Sequence, residues 1–226
     1  MTKPEEISES EVYRYLGYDE KKHIVTDDMR LLIKKCIALM LDTIEPKVTV
    51  SPVLPVVREE EGVLVGSCRL SGKDIAAHLD KCREAVFMAA TLGNEIDTLI
   101  RRTETLNMAE AVILDAAANV AIEQVCQTEE DRIREEIIRS GKYLTMRFSP
   151  GYGDLPIETQ HEFLRMLDAP RKIGLTVTSS HIMTPRKSIT SIMGIADIYV
   201  KGKLAGCGNC VMKDKCIFRK RGTTCG

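Results

Sequence analysis

Met29, Leu32, Ile33, Cys36, Ile37, Met40, Leu41 and Ile44 recur with the helical period, which gives one face of a helix an apolar stripe. Thr26 or Asp27 is placed to cap its start, and Pro46 stops it. A shorter helix is predicted over residues 9–16, ending near Gly17. From 47 to 57 the pattern changes to Val, Thr and Leu punctuated by Pro52 and Pro55. Proline donates nothing to a ladder, so this stretch is predicted as an extended segment at a sheet edge. Glu59 to Gly62 reads as a turn into a short strand over 63–66. Ser71-Gly-Lys-Asp74 has capping-box spacing, with Asp where Glu or Gln is usual, and predicts a helix to about Leu79.

The apolar run 85–92, closed by Gly93, has the length of a buried strand. Helices are predicted over 94–101 and 106–126, the second so rich in Ala that another element can pack close to it. Thr128-Glu-Glu-Asp131 predicts the start of a further helix reaching Gly141. Residues 142–148 alternate as a strand, 149–156 form a Pro/Gly-rich loop, and 157–167 form a helix broken by Pro170. Strands are predicted over 173–177 and 188–196. The elements do not alternate as a doubly wound fold requires, so the expected class is α+β, a twisted antiparallel sheet with packed helices. No internal repeat or low-complexity linker is present, and the expected organisation is one domain over 1–200 with a cysteine-rich appendage over 201–226.

Thirty-two basic and thirty-three acidic residues leave a formal charge of -1, which offers no overall drive toward nucleic acid or an anionic membrane. No run approaches the roughly 20 apolar residues of a membrane span, and the opening lacks a signal peptide's order, so the expected location is the cytoplasm. In that reducing setting Cys36, Cys68, Cys82 and Cys126 are expected as small buried hydrophobes.

The chemistry concentrates in Arg147-Phe-Ser-Pro-Gly-Tyr152, continued by Gly153-Asp-Leu-Pro156. Gly151 allows close ligand approach, and Pro150 and Pro156 limit the shapes the loop must give up on binding. Arg147 carries a donor fork suited to a carboxylate, and Tyr152 adds a flat face with a hydroxyl. The plain alternative is a surface loop with an arginine ion pair and a tyrosine packed over the core.

Arg147, Pro150, Gly151, Tyr152 and Pro156 match, one by one, the adenosylmethionine-binding signature of the activation domain of cobalamin-dependent methionine synthase, which this segment resembles. Met183, Pro185 and Ser188 stand at the offsets of a second segment of that family. The resemblance implies that Arg147, Pro150, Gly151, Tyr152 and Ser188 bind S-adenosylmethionine, with Thr184 and Thr190 on the rim. It also implies Glu123 as a polar contact on the Ala-rich helix, with a weaker case for Asp115. An N-terminal acidic contact is not assignable among Asp19, Asp27, Asp28 and Asp42. His181 is expected to hydrogen-bond locally beside the site.

No Asp-x-His-x-x-Gly cobalamin sequence surrounds His23, His78, His161 or His181. Cobalamin is therefore expected on a partner, a methionine synthase lacking its own activation domain, with this chain as a free-standing reactivation component. The resemblance further implies a flavodoxin or ferredoxin-like electron donor. The alternatives are a methyltransferase acting on another corrinoid protein or substrate, and a non-enzymatic metal-stabilised interaction module. A Gly-x-Gly nucleotide loop of the common methyltransferase fold is absent from the sequence.

Cys207-Gly-Asn-Cys210 is followed by Cys216 and Cys225, at gaps of two, five and eight residues. Two thiolates two residues apart reach one metal from a tight turn, and four suit tetrahedral zinc or an iron–sulfur cluster. The gaps match neither paired zinc knuckles nor a ferredoxin run, so zinc, a cluster, a redox dithiol and unliganded thiols all stay open.

Overall fold

The computed structural model describes residues 3–18 and 25–200. The tail carrying Cys207, Cys210, Cys216 and Cys225 lies outside the described residues, as do Asp19 and His23. Along the chain the elements are α1 (Glu9–Tyr15), α2 (Asp27–Thr43), β1 (Lys47–Val50), β2 (Leu54–Glu59), β3 (Gly62–Val65) and β4 (Cys68–Ser71). Next come α3 (Lys73–His78), β5 (Cys82–Thr91), α4 (Asn94–Glu104), α5 (Met108–Arg139) and β6 (Tyr143–Leu144). A 3-10 turn (Ile157–Thr159), α6 (Gln160–Leu167), α7 (Ala169–Ile173), β7 (Thr176–Val177), β8 (Met183–Thr184) and β9 (Ser188–Ala196) complete it.

In the described residues the main sheet has seven strands in the order β4-β3-β2-β5-β9-β6, with β1 pairing β5 off that path. Every ladder whose register is resolved is antiparallel, and β7 and β8 make a separate two-stranded sheet. The expected α+β class is what is found. Among the described residues no helix is long and apolar enough to cross a membrane.

The described residues fall into two compact units. The first takes Met1–Thr49, Ala89–Arg132 and Asp168–Ile189. The second takes Val50–Met88, Ile133–Leu167 and the chain from Thr190 onward. The first unit buries Ile33, Met40, Ile44, Leu92, Ile96 and Leu114 completely or nearly so. Thr26 caps α2, its side chain accepting from the Met29 N–H, and the apolar stripe buries Ile33, Cys36, Ile37 and Met40. In the second unit the Phe87 and Phe163 rings meet edge to face at 4.8 Å between fully buried side chains. Gly194 in β9 lets Cys82 and Leu79 approach closely, since a Cβ there would lie 2.4 Å from Cys82 Sγ and 2.7 Å from Leu79 Cδ2.

Local motifs misled in three places. Thr128 opens no helix, because α5 runs unbroken and the Thr128 hydroxyl donates back to the Gln124 carbonyl at 3.0 Å. Ser71 belongs to β4 and caps nothing; the N-cap of α3 is Gly72, which has no side chain to offer. Residues 54–59 form an interior strand rather than an edge. Pro55 is accommodated where β2 changes partner: Leu54 and Pro55 pair with β5, whereas Val56 to Glu59 pair with β3.

The cysteine expectation holds for the described residues: Cys36, Cys68, Cys82 and Cys126 are buried and outside any disulfide. Burial pushes the Cys68 thiol up to about 12 and the Cys82 thiol up to about 11.

Candidate functional site

The strand expected over 142–148 narrows to Tyr143 and Leu144, then continues as an irregular ladder against β9. Thr145 explains the break. Its N–H donates to the Gly194 carbonyl at 2.8 Å, and its side-chain Oγ1, in place of a main-chain carbonyl, accepts from the Gly194 N–H at 2.8 Å. Regular exchange resumes at Phe148, which trades both backbone bonds with Ile192. Arg147 is thereby held, half-buried, between two anchored residues.

Beyond Phe148 the chain folds on itself. The Tyr152 N–H donates to the Ser149 carbonyl at 3.1 Å, the Leu155 N–H to Tyr152 at 3.0 Å, and the Gly151 N–H to Leu155 at 2.9 Å. Gly151 has φ +87°, a region that L side chains rarely adopt, and it is exposed. Pro150 and Leu155 are the loop's buried plugs, while Tyr152 keeps 48% of its surface exposed. The Tyr152 ring stands edge-on to Phe148 at 6.2 Å, and Phe148 in turn lies 5.1 Å from the His78 ring. His78 is itself buried, with Nε2 3.0 Å from Thr145 Oγ1. Burial lowers its pKa, and a hydrogen bond with the Met146 backbone opposes that shift. The second unit thus offers a half-buried guanidinium, an aromatic face on solvent and an uncovered glycine backbone on one short, internally bonded loop.

Asp154, which sequence reasoning passed over, anchors that loop. Its carboxylate accepts from the Lys73 N–H at 2.7 Å and from the Asp74 N–H at 3.0 Å, supplying the cap that Gly72 lacks. The contact joins residues about eighty positions apart, so no local spacing signals it.

Glu123 and Ser188 belong to the first unit. Glu123 is half-buried on α5, and its charge adds to burial in raising the Tyr15 pKa. A surface groove of about 210 Å³ lies in the same unit, lined by Tyr15, Leu16, Met108, Val112, Asp115 and Asn119 among others. Asp115 is held by Lys187, a residue inside the Met183-to-Thr190 segment that nothing in its local spacing singles out. Ser188 is buried, and its hydroxyl donates to the Pro185 carbonyl at 2.7 Å, the local use that small hydroxyl residues often find. Thr190, in the second unit, is likewise occupied, accepting from Gln160 Nε2 at 2.7 Å. His181 sits at φ +62° in the turn between β7 and β8, its N–H donating to Thr178 at 2.9 Å.

Residues 86–198 match the family described as vitamin B12 dependent methionine synthase, activation domain. That span is half of the 226-residue chain. The chain belongs to this family.

Its fold is similar to that of a solved structure described as the MetH reactivation domain bound to AdoHcy, with a TM-score of 0.65. The likeness covers 96% of this chain and 82% of that one at 17% identity. No curated protein matches it. The family span takes in α5 with Glu123, the Arg147–Tyr152 loop and β9 with Ser188, so every ligand-binding residue expected from the sequence falls inside the activation-domain match.

Proposed function

We propose that this activation-domain protein binds S-adenosylmethionine and supports the reductive methylation of cobalamin carried by a separate methionine synthase module. The observation that carries the reading is the Arg147–Tyr152 loop, whose guanidinium, aromatic face and open glycine suit the amino-acid and heterocyclic ends of that ligand. AdoHcy, the ligand of the MetH relative, shares those two ends with adenosylmethionine and differs by the transferred methyl. When bound, adenosylmethionine supplies an electrophilic methyl on a sulfonium.

In this proposal Arg147 holds the ligand carboxylate, Tyr152 orients its flat part, and Pro150 and Gly151 shape the loop around it. Glu123 and Ser188 enter through the resemblance of their own segments. The cobalt takes one electron from a flavodoxin or ferredoxin-like donor to reach its nucleophilic state. Its electron pair then forms the cobalt–carbon bond as the sulfonium–methyl bond breaks, leaving S-adenosylhomocysteine. Such a displacement needs alignment and exclusion of water more than a general base, consistent with a site of donors and surfaces.

The test is calorimetric titration with adenosylmethionine, alongside reactivation of an oxidised methionine synthase lacking its own activation domain, with a low-potential reductant. Arg147→Ala is expected to weaken binding at least about tenfold, as loss of a charge-assisted hydrogen bond does, and to leave the far-ultraviolet circular dichroism unchanged. Equal binding by wild type and variant removes the assignment.

For the tail, Cys207, Cys210, Cys216 and Cys225 are proposed to hold a metal centre, zinc or an iron–sulfur cluster. Supporting this, Cys207 and Cys210 stand two residues apart, the spacing at which two thiolates can reach one metal. Iron with acid-labile sulfide in anaerobically purified protein would favour an electron relay. Zinc alone would mean a structural knuckle, since zinc has no redox step. A metal-free chain would remove both.

A further inference from the structure

The loop that carries Tyr152 closes on itself through three backbone hydrogen bonds, and those bonds alone do not fix where the ring points relative to the sheet. Asp154, two residues beyond Tyr152, supplies the fixed point. It grips the first two N–H groups of α3 with one oxygen each, Oδ2 on Lys73 and Oδ1 on Asp74. Both flanks of the contact are cut close. A Cβ on Gly72 would lie 2.6 Å from Asp154 Oδ1, and a Cβ on Gly153 would lie 2.2 Å from Asp74 Oδ2. Gly72 and Gly153 also have φ of +141° and +54°, so each is where it is for its backbone as well as its size.

Resting on the adenosylmethionine reading of the Arg147–Tyr152 loop, we infer that Asp154 is a positioning residue for the ligand: by capping α3 from outside the helix it holds Tyr152 at the angle the ligand meets. It touches no ligand atom itself. The carboxylate acts through two neutral N–H groups, so its acceptor oxygens matter more than its charge. Asparagine keeps one acceptor oxygen and turns an NH2 toward the other N–H, so it caps in part, whereas alanine cannot cap. Positioning therefore moves exchange and affinity together through the series, whereas an aspartate that paired with the ligand's ammonium would lose affinity out of proportion to exchange.

The test compares wild type, Asp154→Asn and Asp154→Ala in calorimetric titrations with S-adenosylmethionine and S-adenosylhomocysteine. Hydrogen exchange of residues 73–74 and 149–156 is followed without ligand. Asp154→Ala is expected to exchange about tenfold faster in both segments and to bind about tenfold more weakly, the size of effect that losing a cap produces. Asp154→Asn, with one of the two acceptors left, is expected to fall between wild type and Asp154→Ala in both readouts. Gly153→Ala, which dislodges the loop while keeping the carboxylate, is expected to reproduce the affinity loss.

Faster exchange in Asp154→Ala with unchanged affinity overturns the positioning role. So does an asparagine variant that binds as weakly as the alanine one while exchanging like wild type, which marks direct contact with the ligand. A wild-type chain that binds neither ligand defeats the parent reading, and this one with it. The exchange data still show in that case whether Asp154 anchors the loop.

Discussion

Lys187 Nζ lies 2.7 Å from Asp115 Oδ1 and 2.8 Å from Asn119 Oδ1, with the Lys187 side chain only 12% exposed and that of Asp115 48% exposed. The two ends of this ion pair are therefore unequal. Removing the Asp115 carboxylate leaves a nearly buried ammonium without its counter-charge, held by Asn119 Oδ1 and the Asp115 carbonyl, whereas removing Lys187 leaves a half-exposed carboxylate that water can solvate. Asp115→Ala is expected to cost about 2–3 kcal/mol and Lys187→Met about 1 kcal/mol, after discounting for the solvent on the Asp115 side. Urea unfolding of the two variants checks the order, and equal losses would contradict the unequal burial.

Gly194→Ala forces a methyl to within 2.4 Å of Cys82 Sγ and 2.7 Å of Leu79 Cδ2. Overpacking of this kind costs about 1–3 kcal/mol. Trimming one neighbour, in the double variant with Cys82→Ala, is expected to recover part of the loss and leave the Leu79 clash. A melting temperature for each single and double variant gives the coupling between the two sites.

His78 is held neutral by burial, its pKa lying below the ordinary value. The unfolded chain therefore takes up its proton first as pH falls, so the stability His78 contributes is complete above the unfolded value of about 6.5 and is lost as pH drops toward the folded one. Unfolding midpoints measured from pH 7.5 to pH 5 are expected to fall across that window in wild type, and to fall less in His78→Asn.

The buried cysteines make a chemical prediction. Because only the thiolate attacks, and burial raises the Cys68 and Cys82 thiols to about 12 and about 11, both are expected to stay unalkylated by iodoacetamide at pH 8 in the folded protein. Peptide mass spectrometry before and after unfolding distinguishes protection by the fold from intrinsic inertness.

Two threonines with similar local sequence separate what the sequence disclosed from what it concealed. Thr26 precedes a stripe of apolar residues and does cap α2, so Thr26→Ala is expected to cost about 1 kcal/mol. Thr128 is followed by two acids as Thr26 is and has capping-box spacing to Asp131, yet it sits inside α5 bonded to Gln124, so Thr128→Ala is expected to be neutral or to stabilise by a few tenths of a kcal/mol. Thermal unfolding of both variants checks the contrast.

Elements whose evidence lies within their own residues, such as α2, β5 and β9, were legible from periodicity and from the glycine and proline around them. So was the loop over 149–156, from its prolines and glycines. Asp154 was not legible, because the N–H groups it satisfies belong to a helix about eighty residues earlier. Nor was Lys187, whose partners lie on α5 some seventy positions away and whose charge on paper resembles any solvated lysine. The Pro55 strand misled for a related reason: a proline excludes one hydrogen bond at one position, and only the register shows that β2 changes partner there.

Each of the two units is assembled from three separate pieces of chain. A single break anywhere from 50 to 189 therefore divides both units at once. Neither can be lifted out as one uninterrupted gene segment, grafted onto another protein or lost alone by truncation. Engineering that moves either unit must carry all three of its pieces.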